Sequence, residues 1–427
     1  MLLAIAAAVF IGLVLLSVPI VFALGIAGIV GLWIGGFPLD QLPSALVSGS
    51  QNWVLLAIPS FIFAGSLMER CGMSHALVGL ARALVGWLRG GLGMSVIVTA
   101  YFFSDICGSK MAEVSALGST LMPPLRRAGY RAEDGASLIA SGTAMGMLVP
   151  PAIFMIVIGD VTNTSVVALF LAGFIPAAVI GVCLCALVFV QARLLGWPKD
   201  TRPSWRLLRQ ASRAALVPMV VPVVILGGFY IGLFTATEAG AVAAFYAFCV
   251  ARFYYGNVSW REMAAIAYES ALLSAAVVFL LAVASVFQYL MGISGAPLFL
   301  AEVLQPLMGA HWLFLTGVAL LTMAFGMVLE GLPAAVVLIP VVFPIATKLG
   351  INPIHFDIVQ TAAVGIGLFL PPLGVGLLMT LRFAEISVAR HARAYWPYLL
   401  ALLLGLMLII CIPDLSLVLP RSAGMVR

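Results

Sequence analysis

Charged residues are scarce in this sequence. Lys, Arg, Asp and Glu make up only 9% of the 427 residues, hydrophobic residues make up 63%, and the mean hydropathy is +1.19. This composition excludes an ordinary soluble domain and predicts a polytopic membrane protein. At roughly 20 residues per span, the hydrophobic stretches predict about ten to twelve passes, some of them broken or re-entrant.

The sequence also lacks the signatures of several enzyme classes. It has no HExxH zinc motif and no G-x-x-x-x-G-K-[ST] nucleotide-binding loop. The six cysteines show no metal-ligand spacing, so we expect them to pack as apolar side chains. A membrane-embedded enzyme would need catalytic His, Asp or Cys residues clustered at one membrane face, and no such cluster stands out. We therefore predict that the protein is not an enzyme and uses no organic cofactor.

The few basic residues are concentrated between hydrophobic stretches, where the positive-inside rule places them in the cytoplasm. The longest polar stretch, 193–213, carries six Lys or Arg residues and divides the chain into two halves. Three further short segments also carry arginines: 70–89, 126–131 and 382–393. Segments 37–53 and 292–311 contain neither Lys nor Arg and are expected on the periplasmic side.

The apolar run 2–35 leaves two interpretations open. It forms either one long kinked helix or two short helices interrupted at Pro19, and the choice reverses the side on which the N-terminus lies. No charge nearby decides between them. Because the run has no basic region before it, we expect a retained membrane helix rather than a cleaved signal peptide.

The most informative feature is a pair of Pro-Pro dipeptides inside Gly-rich apolar segments. Pro150-Pro151 lies in MGMLVPPAIFM, and Pro371-Pro372 lies in IGLFLPPLGVG. Two consecutive prolines interrupt a helix because each lacks a backbone donor and clashes with the preceding turn. In lipid, such a break is tolerated only where the freed backbone groups face protein or water. Two broken helices at matching places in two halves are typical of a secondary transporter with a binding site near the midplane.

Each Pro-Pro segment is preceded by a hydrophobic segment with a polar, Gly-containing middle. In the first half this segment is 91–125, and its middle at 104–113 holds several polar and charged residues. In the second half it is 311–345, with Glu330 and Gly331 in the middle. Neither middle fits a plain spanning helix. We therefore predict two re-entrant hairpins whose tips meet the broken helices near the bilayer centre.

The loops after the two hairpins predict opposite orientations for the two halves. The first loop, 126–134, is basic and therefore predicted to be cytoplasmic. The second loop, 346–355, should then be periplasmic, although Lys348 argues weakly against this placement. The predicted fold is thus an all-α polytopic membrane protein with two inverted repeats, each made of a re-entrant hairpin and a Pro-Pro broken helix.

Six segments, taken in order along the chain, carry a family resemblance: IPSFIFAGSLMERCGM, CGSKMAEVSALGSTLMPPLRRAGY, GTAMGMLVPPAIFMIVIG, GGFYIGLFTATEAGAVAAFYAF, GINPIHFDIVQTAAVGIGLFLPPLGVGLL and PDLSLVLP. Together they resemble the large membrane subunit of a tripartite ATP-independent periplasmic (TRAP) transporter over essentially the whole chain. Two differences affect the second broken helix. Ala363 stands where the family often has Asn, and Leu370 where it often has Thr, so two polar groups are missing there. In addition, TATE at 235–238 replaces the commoner TPTE.

The resemblance implies a sodium-coupled carrier of small organic acids in the bacterial inner membrane. It implies an elevator-type transport domain and two partners, a small four-helix membrane subunit and a periplasmic substrate-binding protein. The expected organisation is as follows: scaffold helices at 1–90, the first hairpin and broken helix at 91–192, a cytoplasmic basic linker at 193–213, central scaffold helices at 214–310, the second hairpin and broken helix at 311–394, and a C-terminal helix and tail at 395–427. The closest alternative is a single-component carboxylate or anion carrier of a related inverted-repeat fold, which works without a binding protein.

In that family the hairpin tips and broken helices form the sodium and substrate sites. The ends of broken helices suit these ligands, because N-terminal N–H groups favour a carboxylate and C-terminal carbonyls favour a cation. Hydroxyl and carbonyl oxygens suit sodium, by analogy with other hard cations. The predicted sodium-binding residues are Ser104, Gly108, Ser109, Thr143, Gly146, Gly326, Gly331, Gly365 and Gly367, with Ser141 and Gly142 as further candidates. The predicted substrate-binding residues are Pro150, Pro151, Pro371 and Pro372, and no metal other than sodium is expected. For each single Gly or Ser, close helix packing in lipid is the competing explanation.

Five ionisable residues fall within hydrophobic segments or at their edges. Asp105, Lys110 and Glu113 lie near the first predicted hairpin tip, and Lys110 can pair with Glu113 across three residues of a helix. Such residues are functional by default at membrane depth, but a hairpin open to cytoplasmic water would simply solvate them. Glu238 and Glu330 are expected to cap, pair or stabilise the scaffold rather than to bind a cation.

Overall fold

The structure is a computed structural model and describes residues 2–103, 110–199, 204–295 and 309–426, together with Glu302. Across these residues the fold is helical and contains no β-strand. The helices are α1 (Leu2–Leu15), α2 (Ile20–Ile34), α3 (Leu42–Ser48), α4 (Ala57–Arg70), α5 (Met73–Val85), α6 (Gly91–Phe103), α7 (Lys110–Arg127), α8 (Ala132–Gly146), α9 (Ile153–Thr162), α10 (Val166–Leu194), α11 (Trp205–Tyr230), α12 (Ala236–Cys249), α13 (Trp260–Ile293), α14 (His311–Leu329), α15 (Gly331–Lys348), α16 (Pro353–Gly367), α17 (Val375–Ala384), α18 (Val388–Cys411) and α19 (Asp414–Ser422).

Seven helical segments in these ranges are long and apolar enough to cross a membrane. They are Trp53–Arg70, Val166–Leu194, Trp205–Tyr230, Trp260–Ile293, His311–Leu329, Gly331–Lys348 and Val388–Cys411. Several shorter apolar helices accompany them. The protein is therefore a helical, multi-pass membrane protein. The pairs α8–α9 and α16–α17 are not among the seven because each pair is interrupted between its two helices.

The N-terminal apolar run forms two short helices, which decides between the two interpretations left open by the sequence. α1 ends at Leu15, and α2 begins at Ile20, directly after Pro19. The connection contains Ser17 with a φ of 63°. α1 and α2 pack against each other, so the chain reverses direction between them. Pro19 precedes the first turn of α2, where its missing N–H leaves no helical hydrogen bond unmade.

Helices α8 and α16 form the centre of the fold. Every residue of α8 from Asp134 to Gly146 is buried, and so is every residue of α16 from Ile354 to Gly367. A helix that is buried on all sides must be covered by other helices rather than by lipid. α8 packs against α6, α7, α16, α17 and α18, while α16 packs against α9, α10, α14 and α15.

Two groups of helices follow from these contacts. The first group surrounds α8 and α16 and contains the helix pairs α6–α7 and α14–α15, which occupy the positions of the two predicted hairpins. The second group is built on α13, which packs against α2, α3 and α4, while α4 also packs against α12. Small residues make close approach possible in the second group: a Cβ on Gly31 would lie 2.5 Å from a methyl group of Leu290.

Residues from the loops predicted to be cytoplasmic contact one another. Arg126 Nη2 donates a hydrogen bond to the carbonyl oxygen of Ala384 at 2.8 Å. Arg390 Nη2 donates to Glu133 Oε2 at 3.2 Å. A hydrogen bond from its own backbone N–H, assisted by the guanidinium of Arg390, lowers the pKa of the Glu133 carboxyl. The positive charges of two separate loops therefore lie together at one end of the first helix group.

The basic stretch 193–213 is only partly a linker. α10 extends to Leu194, and α11 begins at Trp205 after the N-cap Ser204, whose side chain accepts a hydrogen bond from the N–H of Leu207. Three of its basic residues therefore lie on the first turns of α11: Arg206, Arg209 and Arg213. Part of the polar stretch is therefore helical, because the polar end of α11 continues the apolar part of the same helix.

Candidate functional site

Both Pro-Pro segments interrupt a helix, as the sequence predicts. α8 ends at Gly146 and α9 begins at Ile153, while α16 ends at Gly367 and α17 begins at Val375. The Pro-Pro peptide bond is cis in both breaks. Each break ends one short helix and starts another, so carbonyl groups and N–H groups that a continuous helix would pair face the gap.

The two broken helices cross at backbone distance close to their breaks. A Cβ on Gly365 would lie 2.4 Å from the carbonyl oxygen of Ala144 on α8. A Cβ on Gly367 would lie 2.7 Å from the carbonyl oxygen of Met323 on α14. Neither position has room for a side chain, so glycine is required by close packing at both. The predicted sodium residues Gly365 and Gly367 are thus at the crossing point, where packing alone explains their identity.

The turn between α14 and α15 reaches this crossing point. A Cβ on Gly331 would lie 3.1 Å from Val364 Cγ1 on α16 and 3.3 Å from Met147 Cε at the first break. Gly326 is also close, because its Cβ would lie 3.5 Å from the carbonyl oxygen of Val364. The second hairpin tip therefore contacts both broken helices, and the predicted residues Gly326, Gly331, Gly365 and Gly367 come together.

Glu330 forms the turn between α14 and α15. Its backbone has a φ of 69° and a ψ of 165°, a region that residues other than glycine rarely adopt. It stands directly before the first residue of α15, but its side chain makes no capping hydrogen bond. Of the roles expected for Glu330, side-chain capping is therefore excluded, while pairing and stabilising the scaffold stay predictions. Glu238 does cap its helix, because Thr235 and Glu238 form a reciprocal capping box at the start of α12.

The first hairpin tip is described only from Lys110 onward. The predicted sodium residues Ser104, Gly108 and Ser109, and also Asp105, lie outside the described residues. At the start of α7, Lys110 Nζ lies 2.8 Å from Glu113 Oε2, which confirms the predicted pairing. The exposed fraction is 11% for the Lys110 side chain and 0% for that of Glu113. Neither side chain of the pair is therefore openly solvated in the structure, while the solvation of the whole hairpin stays untested because Asp105 lies outside the described residues.

The remaining first-repeat candidates line the last two turns of α8. Ser141 and Thr143 are both fully buried. Ser141 donates its hydroxyl to the carbonyl oxygen of Leu138, whereas Thr143 Oγ1 has no hydrogen-bond partner. A buried hydroxyl without a partner is unfavourable unless a ligand or water satisfies it. Gly142 has a packing role, since its Cβ would lie 3.1 Å from the Cβ of Ala100 on α6. Gly146 is the last residue of α8.

A cavity of about 370 Å³ lies beside this crossing point, between the two helix groups. On one side are Ile20 and Val21 of α2, Ile62 of α4 and a stretch of α13. On the other side are Lys110 of α7 and two helix N-termini, represented by Ile153 of α9 and Gly331 of α15. The cavity is mostly apolar, and its charged lining residues are Lys110 and Glu330. It has the size and lining expected for a small-molecule site.

The predicted substrate residues do not line this cavity. Pro150 and Pro151 border a separate apolar cavity of about 90 Å³, which is closed by aromatic residues of α6 and by α11. Pro371 is partly buried and Pro372 is exposed. The prolines thus create the breaks, while the residues on either side of the first break, Met147 and Ile153, face the larger cavity.

α16 carries a row of buried polar residues that were not among the predicted site residues. Asp357, Gln360 and Thr361 are all fully buried. Thr322 Oγ1 of α14 donates to Gln360 Oε1 at 2.6 Å, and Thr162 Oγ1 of α9 donates to Asp357 Oδ2 at 2.9 Å. The signal was present in the sequence, because spacings of three and four residues place these side chains on one helix face.

A family model and individual relatives of known proteins point to the same family. A model of the DctM component of tripartite ATP-independent periplasmic transporters matches residues 7–415. The chain is 36% identical to the C4-dicarboxylate TRAP transporter large permease protein DctM of Pseudomonas aeruginosa over 387 residues, which cover 90% of both chains. It is 33% identical to the 2,3-diketo-L-gulonate TRAP transporter large permease protein YiaN of Escherichia coli over 405 residues, which cover 95% of both.

A solved structure shares the fold at low sequence identity. The crystal structure of the YdaH transporter of Alcanivorax borkumensis matches with a TM-score of 0.59 and 16% identity. The match covers 87% of this chain and 86% of that one. The likeness therefore extends over nearly the whole helical architecture rather than over one local motif.

Proposed function

The chain belongs to the DctM-component family of tripartite ATP-independent periplasmic (TRAP) transporters, and we propose that it imports a small organic acid across the bacterial inner membrane together with sodium. The relatives named above carry a C4-dicarboxylate and 2,3-diketo-L-gulonate, both of which are organic acids. An anion carrier needs a site that attracts a carboxylate at membrane depth.

One observation carries the proposed substrate class: two helix N-termini and one lysine lie around a single cavity. α9 and α15 begin at Ile153 and Gly331, and both residues line the 370 Å³ cavity together with Lys110 of α7. Each N-terminus presents backbone N–H groups and partial positive charge, which favour a carboxylate. Glu330 lines the same cavity with the opposite charge. The substrate carboxylate is therefore proposed to lie nearer Lys110 and Ile153 than Glu330.

Sodium is proposed to bind on the carbonyl side of the breaks. The C-terminal ends of α8 and α16 carry partial negative charge beside the crossing of Gly365 and Ala144. Thr143 supports a first-repeat site because its buried hydroxyl has no partner of its own. The proposed ligand set remains that of the sequence prediction, with Ser104, Gly108, Ser109, Thr143 and Gly146 in the first repeat, and Gly326, Gly331, Gly365 and Gly367 in the second.

The transport cycle is proposed to be an elevator movement of the first helix group against the second. In this proposal 91–192 and 311–394 form the transport domain as two inverted repeats, and 1–90 and 214–310 form the scaffold. The position of the cavity supports the division, because residues of both groups line it and a relative displacement would open it. The order of elements gives further support, since α6 to α9 and α14 to α17 both read as a helix pair followed by a broken helix.

Two partners are proposed: a small four-helix membrane subunit and a periplasmic binding protein that delivers the substrate. The test is uptake of labelled C4-dicarboxylates and 2,3-diketo-L-gulonate by proteoliposomes, with each component omitted in turn. Uptake should require the small subunit, the binding protein and an inward sodium gradient. Full uptake by this chain alone would reject the tripartite assembly in favour of a single-component carrier. Equal uptake under a potassium gradient would reject sodium coupling.

A further inference from the structure

A cluster of buried oxygen atoms lies where the end of α9 meets α16. Asp357 is fully buried, and its Oδ2 lies 2.9 Å from Thr162 Oγ1. Thr162 Oγ1 also lies 2.9 Å from Thr164 Oγ1 and 2.8 Å from the carbonyl oxygen of Ile158. Asp357 Oδ1 is buried and has no hydrogen-bond partner. Five oxygen atoms, from α9, the connection after it and α16, thus converge at one place.

The number of available protons is too small for this number of oxygens. Thr162 and Thr164 each have one hydroxyl proton to donate, yet Thr162 Oγ1 has three oxygen neighbours within 2.9 Å, and Asp357 Oδ1 has no partner. If Thr162 donates to the Ile158 carbonyl, two acceptor oxygens face each other across the contact with Asp357. If it donates to Asp357 instead, Oδ1 is still unsatisfied. A positive ion among these oxygens resolves both arrangements, as would a proton on Asp357, and the test below separates the two.

The surroundings make an unaccompanied carboxylate unfavourable. Thr162 is the last residue of α9, so Asp357 lies beside the negative end of that helix. Asp357 is in the second turn of α16, beyond the reach of that helix's own positive end. Among the residues that the structure describes, no Lys or Arg forms an ion pair with Asp357. A buried carboxylate without a counter-charge is strongly destabilising.

We propose that Asp357, Thr162 and Thr164 bind a sodium ion at a site separate from the hairpin tips. In this arrangement Thr162 donates its proton to the Ile158 carbonyl, which leaves its lone pairs and the carboxylate free to coordinate the ion. One carboxylate and neutral hydroxyls balance a single positive charge. A divalent ion would need more carboxylates, and no group of three His, Cys, Asp or Glu able to hold a metal occurs in the described part of the chain.

The site lies well away from the substrate cavity. Ten residues of α16 separate Asp357 from Gly367, which corresponds to about 15 Å along the helix axis at 1.5 Å per residue. Thr164 is only partly buried, which gives the ion a path of entry. Because Thr162 and Asp357 belong to different halves of the chain, an ion between them joins α9 to α16. If this ion is coupled to transport, that role rests on the proposed sodium symport. The binding of sodium at Asp357 does not depend on it.

The test measures sodium binding to the purified full chain, without substrate or partners. Thermal stability in detergent is followed as sodium replaces choline at constant ionic strength, and bound ²²Na⁺ is counted at saturation. Wild-type protein should be stabilised by sodium. Asp357→Asn keeps the shape but removes the charge, so the half-saturating sodium concentration of this site should rise about ten-fold or more, and one bound ion should be lost. Thr162→Val should weaken the same site several-fold.

Thr380→Val is the matched control, because Thr380 is a fully buried threonine on α17 whose hydroxyl bonds to Gly376 of its own helix. Its sodium binding should equal that of wild type. If Asp357→Asn does not fold, Thr162→Val and Thr164→Val carry the test. Unchanged sodium binding in these variants overturns the proposal, as does a shift confined to the pH dependence of stability, which would indicate a bound proton. Sodium-independent uptake with normal ²²Na⁺ binding would refute the symport but not this site.

Discussion

Gly365 and Ala144 bring the two broken helices into backbone contact, because a Cβ on Gly365 would lie 2.4 Å from the carbonyl oxygen of Ala144. The contact joins residues from the two halves of the chain, immediately before each break. The C-terminal ends of α8 and α16 and the N-terminal ends of α9 and α15 therefore lie close together, next to the cavity bordered by Lys110 and Glu330. The distance between α8 and α16 at this crossing determines whether their ends can bind one ligand together. An added methyl group at the crossing should therefore disturb the arrangement of these helix ends.

The Gly365→Ala substitution should destabilise the protein and impair transport. The added methyl group would overlap the Ala144 carbonyl, so α8 and α16 must move apart. Forcing a methylene into a close-packed site usually costs about 1–3 kcal/mol. We expect a lower midpoint of thermal unfolding in detergent and a loss of uptake in proteoliposomes.

Gly227→Ala provides the matched control for this crossing. Gly227 lies within α11, is exposed, and has no atom within 4 Å of where its Cβ would be. Alanine favours a helix over glycine by about 0.5–1 kcal/mol, so the control should be as stable as wild type or slightly more stable. Equal behaviour of the two variants would show that the α8–α16 crossing is not tightly packed.

Local chemistry made the breaks and the second hairpin turn predictable. Two prolines stop a helix in any context, so both gaps were expected at Pro150-Pro151 and Pro371-Pro372. The polar middle around Glu330 likewise indicated the turn between α14 and α15. The pairing of Lys110 with Glu113 followed from helical spacing alone.

Contacts between distant residues could not be predicted from these local patterns. Asp357 and Thr162 are 195 residues apart, and nothing in either segment indicates the other as its partner. The substrate prediction centred on the prolines for a related reason. A sequence shows where a helix breaks, but not which residues around the break face the cavity. That depends on how α9 and α15 pack, and in the structure Met147 and Ile153 face the cavity rather than the prolines.

Removing one member of the buried Lys110–Glu113 pair should destabilise the protein strongly. Lys110→Met leaves the fully buried Glu113 without this counter-charge, and breaking one side of a buried pair typically costs about 3–5 kcal/mol. The double variant Lys110→Met with Glu113→Gln should recover much of that loss. Thermal unfolding of the single and double variants in detergent measures the coupling.

The exposed pair of Asp414 and Arg421 on α19 is the control for the buried pair. Surface ion pairs contribute about 0–1 kcal/mol, so Arg421→Met should barely change the unfolding midpoint. A Lys110→Met variant as stable as Arg421→Met would mean that water reaches Glu113, contrary to its burial in the structure.

The loops after the two hairpins should lie on opposite sides of the membrane. Arg127 and Thr347 are exposed residues near the ends of α7 and α15. In a background without native cysteines, Arg127→Cys should react with an impermeant maleimide only from the cytoplasm, and Thr347→Cys only from the periplasm. Arg206→Cys, at the start of α11, is expected to react from the cytoplasm and serves as the reference. Labelling of positions 127 and 347 from the same side would reject the inverted repeats.

Thr143→Val should weaken sodium binding without destabilising the protein. Thr143 Oγ1 is buried and unpaired, so valine, which has the same shape, removes an unsatisfied hydroxyl rather than a hydrogen bond. If the hydroxyl coordinates sodium, the concentration for half-maximal uptake should rise about ten-fold, and Ser109→Ala should act in the same direction. Thr143→Ser keeps the hydroxyl and should retain wild-type affinity. Unchanged sodium dependence in Thr143→Val, with normal expression, would make Thr143 a packing residue and exclude it from the ion site.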